Sequence, residues 1–325
     1  MLLALLAGCS NDSDEPEPPQ PENPKQSFPL TIEVAENPMI IDGAENDKST
    51  RAAITTSSSL EKFYMSYVFA NTQSTTIETA TITTEGKWTG GTWPNAAATN
   101  DDMVDWYAYT GGTFGRTEDA EKKPYINFVV EEAADHQHDL LVATAANKYS
   151  LCSGYLRFTF DHACSALRFY VKKAKNLNGH TLRISSIVLK NVVKHGKYFY
   201  EIGDRPSEWT PITTNPSDDI TNYTLYTGSE ITLGSETTDY VALNGNFGSA
   251  SEPYLFVIPQ ELTAWNPTET LGNTYLELTC SIDGAASQTA YIPFGTTFEK
   301  GTQHDVKINI GKNSLYKSNG ALVIE

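Results

Sequence analysis

Apolar residues in this chain recur at every second position, in short runs closed by Gly, Pro or Asn, and no window sustains an apolar stripe of helical period. Side chains alternate across a strand, so Leu30, Ile32 and Val34 share one face while Thr31 and Glu33 share the other. Strand-like runs follow at Phe63–Ala70, Thr76–Thr83, Val104–Tyr109, Tyr125–Val130 and Asp139–Ala143. They resume at Tyr254–Ile258, Tyr275–Ile282 and Thr289–Phe294 and close with Val306, Ile308 and Ile310. Many short strands punctuated by turn signals such as Gly90-Gly-Thr-Trp93-Pro94 specify an all-β chain built of sandwiches.

The 325 residues are enough for two domains of ordinary size. The polar connection Asn147–Ser150 places the division: a first sandwich over 27–150 and a second over 151–325. Two parity slips carry more detail. Phe158 and Phe160 fall on even positions, whereas Leu167, Phe169 and Val171 fall on odd ones. One flat strand cannot present both sets to one core, so a bulge or corner is expected near Asp161–Ala163. The same slip separates Leu182 and Ile184 from Ile187 and Leu189, at Ser185-Ser186.

Ahead of the strands, Leu6-Ala-Gly-Cys9 ends an apolar run in the form of a lipoprotein box; Cys9 is therefore an expected lipidation site, and residues 1–8 are expected to be part of a signal segment that starts further upstream. The run is far shorter than the roughly 20 residues that span a bilayer. Residues 9–26 read as an acidic, Pro-rich tether, expected to be disordered because such a composition buries no core. Acids directly after the lipid cysteine also resemble the surface-export signal of Bacteroidetes lipoproteins. A net charge of −17 argues against nucleic acid and anionic lipid as partners. With Cys9 acylated, Cys152, Cys164 and Cys280 remain; three cannot all pair, and the latter two read as packed thiols with one bridge open.

Little in the chain points to catalysis. Asp135-His-Gln-His138-Asp139 is the sole metal-like cluster; it lacks a third ligand at useful spacing, so no metal is expected. His162 lies at the expected corner and reads as structural. There is no Gly-x-Ser-x-Gly elbow, P-loop or dinucleotide fingerprint, hence no expected cofactor and no enzyme. Trp88, Trp93 and Trp106 could stack on sugars, although aromatic residues more often pack in cores.

Five runs resemble one family, the fimbrillin-like (Mfa-like) pilus proteins of Bacteroidales. They are Ser49-Thr-Arg51-Ala-Ala-Ile-Thr, Asp139-Leu-Leu-Val-Ala143, Phe158-Thr-Phe160-Asp-His162-Ala-Cys-Ser-Ala-Leu167, Leu255-Phe-Val-Ile-Pro259-Gln260 and Phe298-Glu-Lys-Gly301-Thr-Gln-His-Asp-Val-Lys-Ile. The resemblance implies two tandem transthyretin-like β-sandwiches, delivered to the outer membrane as a lipoprotein. It implies that an arginine-specific protease cuts between Arg51 and Ala52, that the first strand (Leu30, Ile32, Val34) leaves with the lipid, and that a strand from another subunit replaces it by β-strand addition. In the tail, Ala321, Leu322, Val323 and Ile324 would form the donor strand. The expected role is a structural fimbrial subunit at the cell surface, of minor or tip type, with a part in adhesion. The alternative is a surface-tethered glycan-binding lipoprotein.

Overall fold

The structure, a computed structural model, describes residues 28–37, 39–41, 60–70, 72–73, 76–132, 137–234, 239–243 and 254–323. In chain order the strands of the first half are β1 (Thr31–Glu36), β2 (Ile40–Ile41), β3 (Lys62–Phe69), β4 (Thr72–Gln73), β5 (Glu78–Ile82), β6 (Trp88–Thr89), β7 (Met103–Tyr109), β8 (Thr113–Arg116), β9 (Pro124–Val129) and β10 (Leu141–Lys148). Next come β11 (Tyr155–His162), β12 (Ser165–Lys173), β13 (Leu182–Val193), β14 (His195–Phe199), β15 (Glu208–Pro211), β16 (Ile220–Leu233) and β17 (Val241–Ala242). The last are β18 (Leu255–Val257), β19 (Gln260–Leu262), β20 (Tyr275–Ile282), β21 (Gln288–Pro293), β22 (Thr296–Phe298) and β23 (Thr302–Ile310). The all-β class expected from the alternation is the one observed.

The largest sheet runs β4-β3-β5-β6-β1-β11-β10-β7, and β7 pairs with β3 as well. Hydrogen bonding therefore closes on itself through β3, β5, β6, β1, β11, β10 and β7, and closure removes free sheet edges. Alternate residues fill the interior: Phe63 and Met65 from β3, Val104, Trp106 and Ala108 from β7, Leu156, Phe158 and Phe160 from β11. The opposite face of β7 is also covered. Tyr107 meets Phe114 of β8, in the smaller sheet β15-β14-β9-β8, and Tyr200 just after β14, with ring centroids 5.3 and 5.0 Å apart.

The expected corner is present. The chain leaves the ring at His162, turns through Ala163 and Cys164, and enters a second sheet as β12, where order runs β17-β12-β23-β2 and β18 also pairs with β12. This shift puts Leu167, Phe169 and Val171 into a second core, shared with the sheet β16-β13-β20-β21. The second slip is a bulge: the pairings of β13 with both β16 and β20 shift between Ile184 and Ser186.

The halves of the chain interlock. The division expected near residue 150 falls between β10 and β11, which are neighbours in the ring, and the change of sheet comes at Ala163-Cys164. From the first half, β9 pairs with β14, and β2 pairs with β23.

Candidate functional site

Two features single out β1 and its continuation: how it is held, and what it buries. Along one side it forms a parallel ladder with β11, from Thr31 opposite Tyr155 to Glu36 opposite Phe160. Along the other side, its pairing with β6 is limited to Ile32 opposite Trp88. Near the strand's start, Trp93 N–H donates to Phe28 O at 2.7 Å and Leu30 N–H to Gly91 O at 3.4 Å. The strand is thus not the sheet edge that displacement would suit best; it closes the ring, firmly against β11 and sparsely against β6.

The alternation read from the sequence is realised. Leu30 and Ile32 are buried in the ring core and Val34 packs against it half-buried, while Thr31 and Glu33 are exposed. Inside, β1 covers a floor of aromatic rings: Phe63 lies 5.7 Å from Phe158 and 5.1 Å from Phe160, centroid to centroid. Gly154 makes the start of the ladder accessible. It sits at φ +81°, its carbonyl accepts from Thr31 N–H at 2.9 Å, and a Cβ there would come 2.7 Å from Pro29 O.

Beyond Glu36 the same segment crosses to the second core. Asn37 N–H donates to Phe160 O at 2.8 Å, and its side-chain amide donates to Asp161 Oδ1 at 2.7 Å. Met39 is buried in the second core, and Ile40 and Ile41 pair with Thr302 and Gln303 at the edge of the β23 sheet. One stretch, residues 28–41, is therefore built into both cores.

At the crossing lies a buried ionic trio. His162 Nε2 is 2.9 Å from Glu36 Oε1, its Nδ1 hydrogen-bonds Asp139 Oδ2, and Asp139 Oδ1 accepts from Cys164 N–H at 3.1 Å. All three side chains are almost fully covered, with exposures of 1% for His162, 6% for Glu36 and 0% for Asp139. Burial alone works to strip the imidazole of its proton. Its hydrogen bonds to Asp139 and Glu36, and their charges, prevail and hold its pKa at about 9. The carboxyl of Asp139 is pushed up by burial and drawn back only in part by His162 and Cys164. The neighbouring Cys164 is no activated nucleophile: full burial raises its thiol well above the ordinary range. Asp139 stood in the sequence only as part of the metal-like cluster and of a strand-like run, and Glu36 was not singled out, yet Glu36 had a signal. It continues the inward row Leu30, Ile32, Val34 in phase, and an acid on an apolar face demands a buried partner.

The other expected positions resolve differently. Cys9, Arg51, Ala52 and Ile324 lie outside the described residues. Of the metal-like cluster, Asp135 and His136 also lie outside; His138 is exposed, Gln137 accepts from Phe256 N–H at 2.9 Å, and Asp139 belongs to the trio. The glycan-contact expectation is corrected at Trp93 and Trp106, which are 2% and 0% exposed inside the ring and cannot stack on a sugar. Trp88 is half-buried, 5.0 Å from Phe63. The thiols of Cys152, Cys164 and Cys280 are free. In the tail, Tyr316 bridges both Tyr291 and Leu322, and Val323 N–H donates to Leu315 O at 2.8 Å. Ala321, Leu322 and Val323 are thus folded back along the β21 side of their own sheet.

Residues 44–323 match a family described as fimbrillin-like. Among solved structures, the chain is similar to a fimbrial protein from Bacteroides vulgatus, at 16% identity and a TM-score of 0.52 over 88% of this chain and 96% of that one. It is also similar to a candidate cell adhesion protein from Bacteroides uniformis, at 14% identity and a TM-score of 0.45 over 89% and 95%. A fimbrial assembly protein from Parabacteroides distasonis follows at 8% identity and a TM-score of 0.41 over 89% and 94%. No curated protein matches the chain.

Proposed function

The chain belongs to the fimbrillin-like family, and from that premise we propose that it is a structural fimbrial subunit of the cell surface, assembled by exchange of β1. In this reading the precursor reaches the outer membrane as a lipoprotein through Cys9. An arginine-specific protease then cuts between Arg51 and Ala52, and the lipid, tether, β1 and β2 leave together. A strand of another subunit takes the vacated place.

The observation that carries the reading is the way residues 28–41 are seated. Their loss would open the ring between β6 and β11 and bare the β2 side of β23, leaving unpaired backbone groups on each. It would also uncover the places of Leu30 and Ile32, each worth about 1.5–3 kcal/mol of burial. An apolar slot between open strand edges is a site for β-strand addition. The sparse β6 side gives the strand a direction in which to peel.

The tail bears on position in the fibre. A head-to-tail polymer needs each inner subunit both to accept and to give a strand. Here Leu322 and Val323 are paired within their own chain, so Ala321–Ile324 could act as donor only after those bonds open. That pairing supports a subunit that receives a strand, the minor or tip-type role, in which adhesion would be exercised at the fibre end.

A disulfide lock tests this. Glu33 and Arg157 face each other, outward, across the β1–β11 ladder; neighbouring strands lie within disulfide reach. The double variant Glu33→Cys, Arg157→Cys, cut at Arg51, should stay monomeric when oxidised and regain assembly with partner subunits on reduction. Equal assembly in both states would exclude displacement of β1.

A further inference from the structure

We propose that His162 selects the strand that replaces β1, by requiring a carboxylate at the register position that Glu36 occupies. The inference rests on the displacement of β1 proposed above and adds the chemistry of the incoming partner.

Glu36 is the one member of the buried trio that would leave with β1; Asp139 and His162 belong to the body that stays. His162 ends β11, the strand against which β1 forms its long parallel ladder, and its Nε2 lies 2.9 Å from Glu36 Oε1. Nδ1 is already committed to Asp139, which is itself fixed by the amide of Cys164. The ring therefore cannot turn away to find another acceptor without breaking a buried bond. Once a new strand covers the slot, water is excluded again and Nε2–H depends on what that strand brings. A buried donor without an acceptor is costly, and a charge-assisted bond is about twice as strong as a neutral one.

The partner is thus a strand whose inward row is aliphatic and ends in Asp or Glu, as Leu30-x-Ile32-x-Val34-x-Glu36 does. The aliphatic residues supply affinity to any such strand. The acid supplies register, because a slip of one residue would turn it to the outer face and a slip of two would bury it against Phe158 and Phe160.

Synthetic peptides of residues 28–41 provide the test. The full chain, cut at Arg51, is mixed with excess fluorescent peptide, and uptake is followed by anisotropy at pH 7. Three peptides are compared: the natural sequence, Glu36→Gln and Glu36→Leu. The natural peptide should bind best, the Gln peptide several-fold more weakly, and the Leu peptide roughly 10- to 100-fold more weakly. In a His162→Gln protein the preference for Glu should vanish; if that variant does not fold, the peptide series on the natural protein decides alone. Uptake of the Leu peptide as tight as the natural one, or tighter, overturns the role of His162 while leaving strand displacement intact. Failure of all three peptides to enter overturns the displacement itself, and this inference with it.

Discussion

His162 places a titrating group in the molecule's interior, and its position makes stability depend on alkaline pH. Glu36 faces it from β1 and Asp139 from the segment before β10, with the neutral Cys164 thiol close by. The folded imidazole titrates at about 9, against an ordinary value of 6.5. A folded pKa above the unfolded one means the imidazolium stabilises the fold in full below about pH 6.5, and that contribution is lost as pH rises through 9. At about 1.4 kcal/mol per unit the swing is on the order of 3 kcal/mol. Urea unfolding at pH 6 and pH 9.5 should show this loss in the natural protein, and His162→Gln should largely flatten it. The tryptophans make the complementary case. Trp106 is completely buried, so Trp106→Ala should cost about 3–5 kcal/mol in unfolding experiments, as a core residue does. Composition alone left these rings undecided between surface and core, because nothing local to Trp93 or Trp106 tells which side of the ring they face. His162 was legible as a corner residue and Glu36 as an acid on an inward row; that the two meet, with Asp139, was not, since Asp139 is brought to His162 by chain pairing and Glu36 by a parallel ladder between distant strands.

At the scale of the element, β1 was legible in outline and illegible in context. Its alternation named Leu30, Ile32 and Val34, and that row does face the core, with Val34 less covered than the others. Its two flanks had no sequence signature. β6 is only Trp88-Thr89, too short to show periodicity, and β11 lies far along the chain. Ile32→Ala should therefore destabilise the uncut protein by about 2–5 kcal/mol, whereas the exposed Thr31→Ala should be nearly silent. If β1 is displaced, the same Ile32→Ala should have no effect on the stability of assembled material, where another strand fills the slot. Thermal melts before and after assembly check both halves of this statement. The short β2 was invisible as a strand because two residues carry no pattern, yet it extends the segment that holds β1 onto the second sheet through Met39 and Ile40.

The whole molecule obeys the period-two pattern almost throughout, and the all-β class followed because side-chain alternation is a local property. The parity slips at Asp161–Ala163 and Ser185-Ser186 were equally local, and both mark real breaks in strand register. Which strands share a sheet was beyond such reading. The pairing of Asn127 with Lys197, or of Ile40 with Thr302, joins distant residues whose sequences do not advertise each other. That interlocking has a mechanical consequence: residues 28–41 hold the ring and the second sheet together, so their removal would affect both cores at once. Mass spectrometry of assembled material tests the displacement most directly. The full chain is treated with an arginine-specific protease, allowed to assemble with partner subunits, and the assemblies are isolated and digested. The expected result is a new N-terminus at Ala52 and no peptide spanning Thr31–Glu36. Assemblies that retain Thr31–Glu36 in equal amount to the rest of the chain would contradict strand exchange.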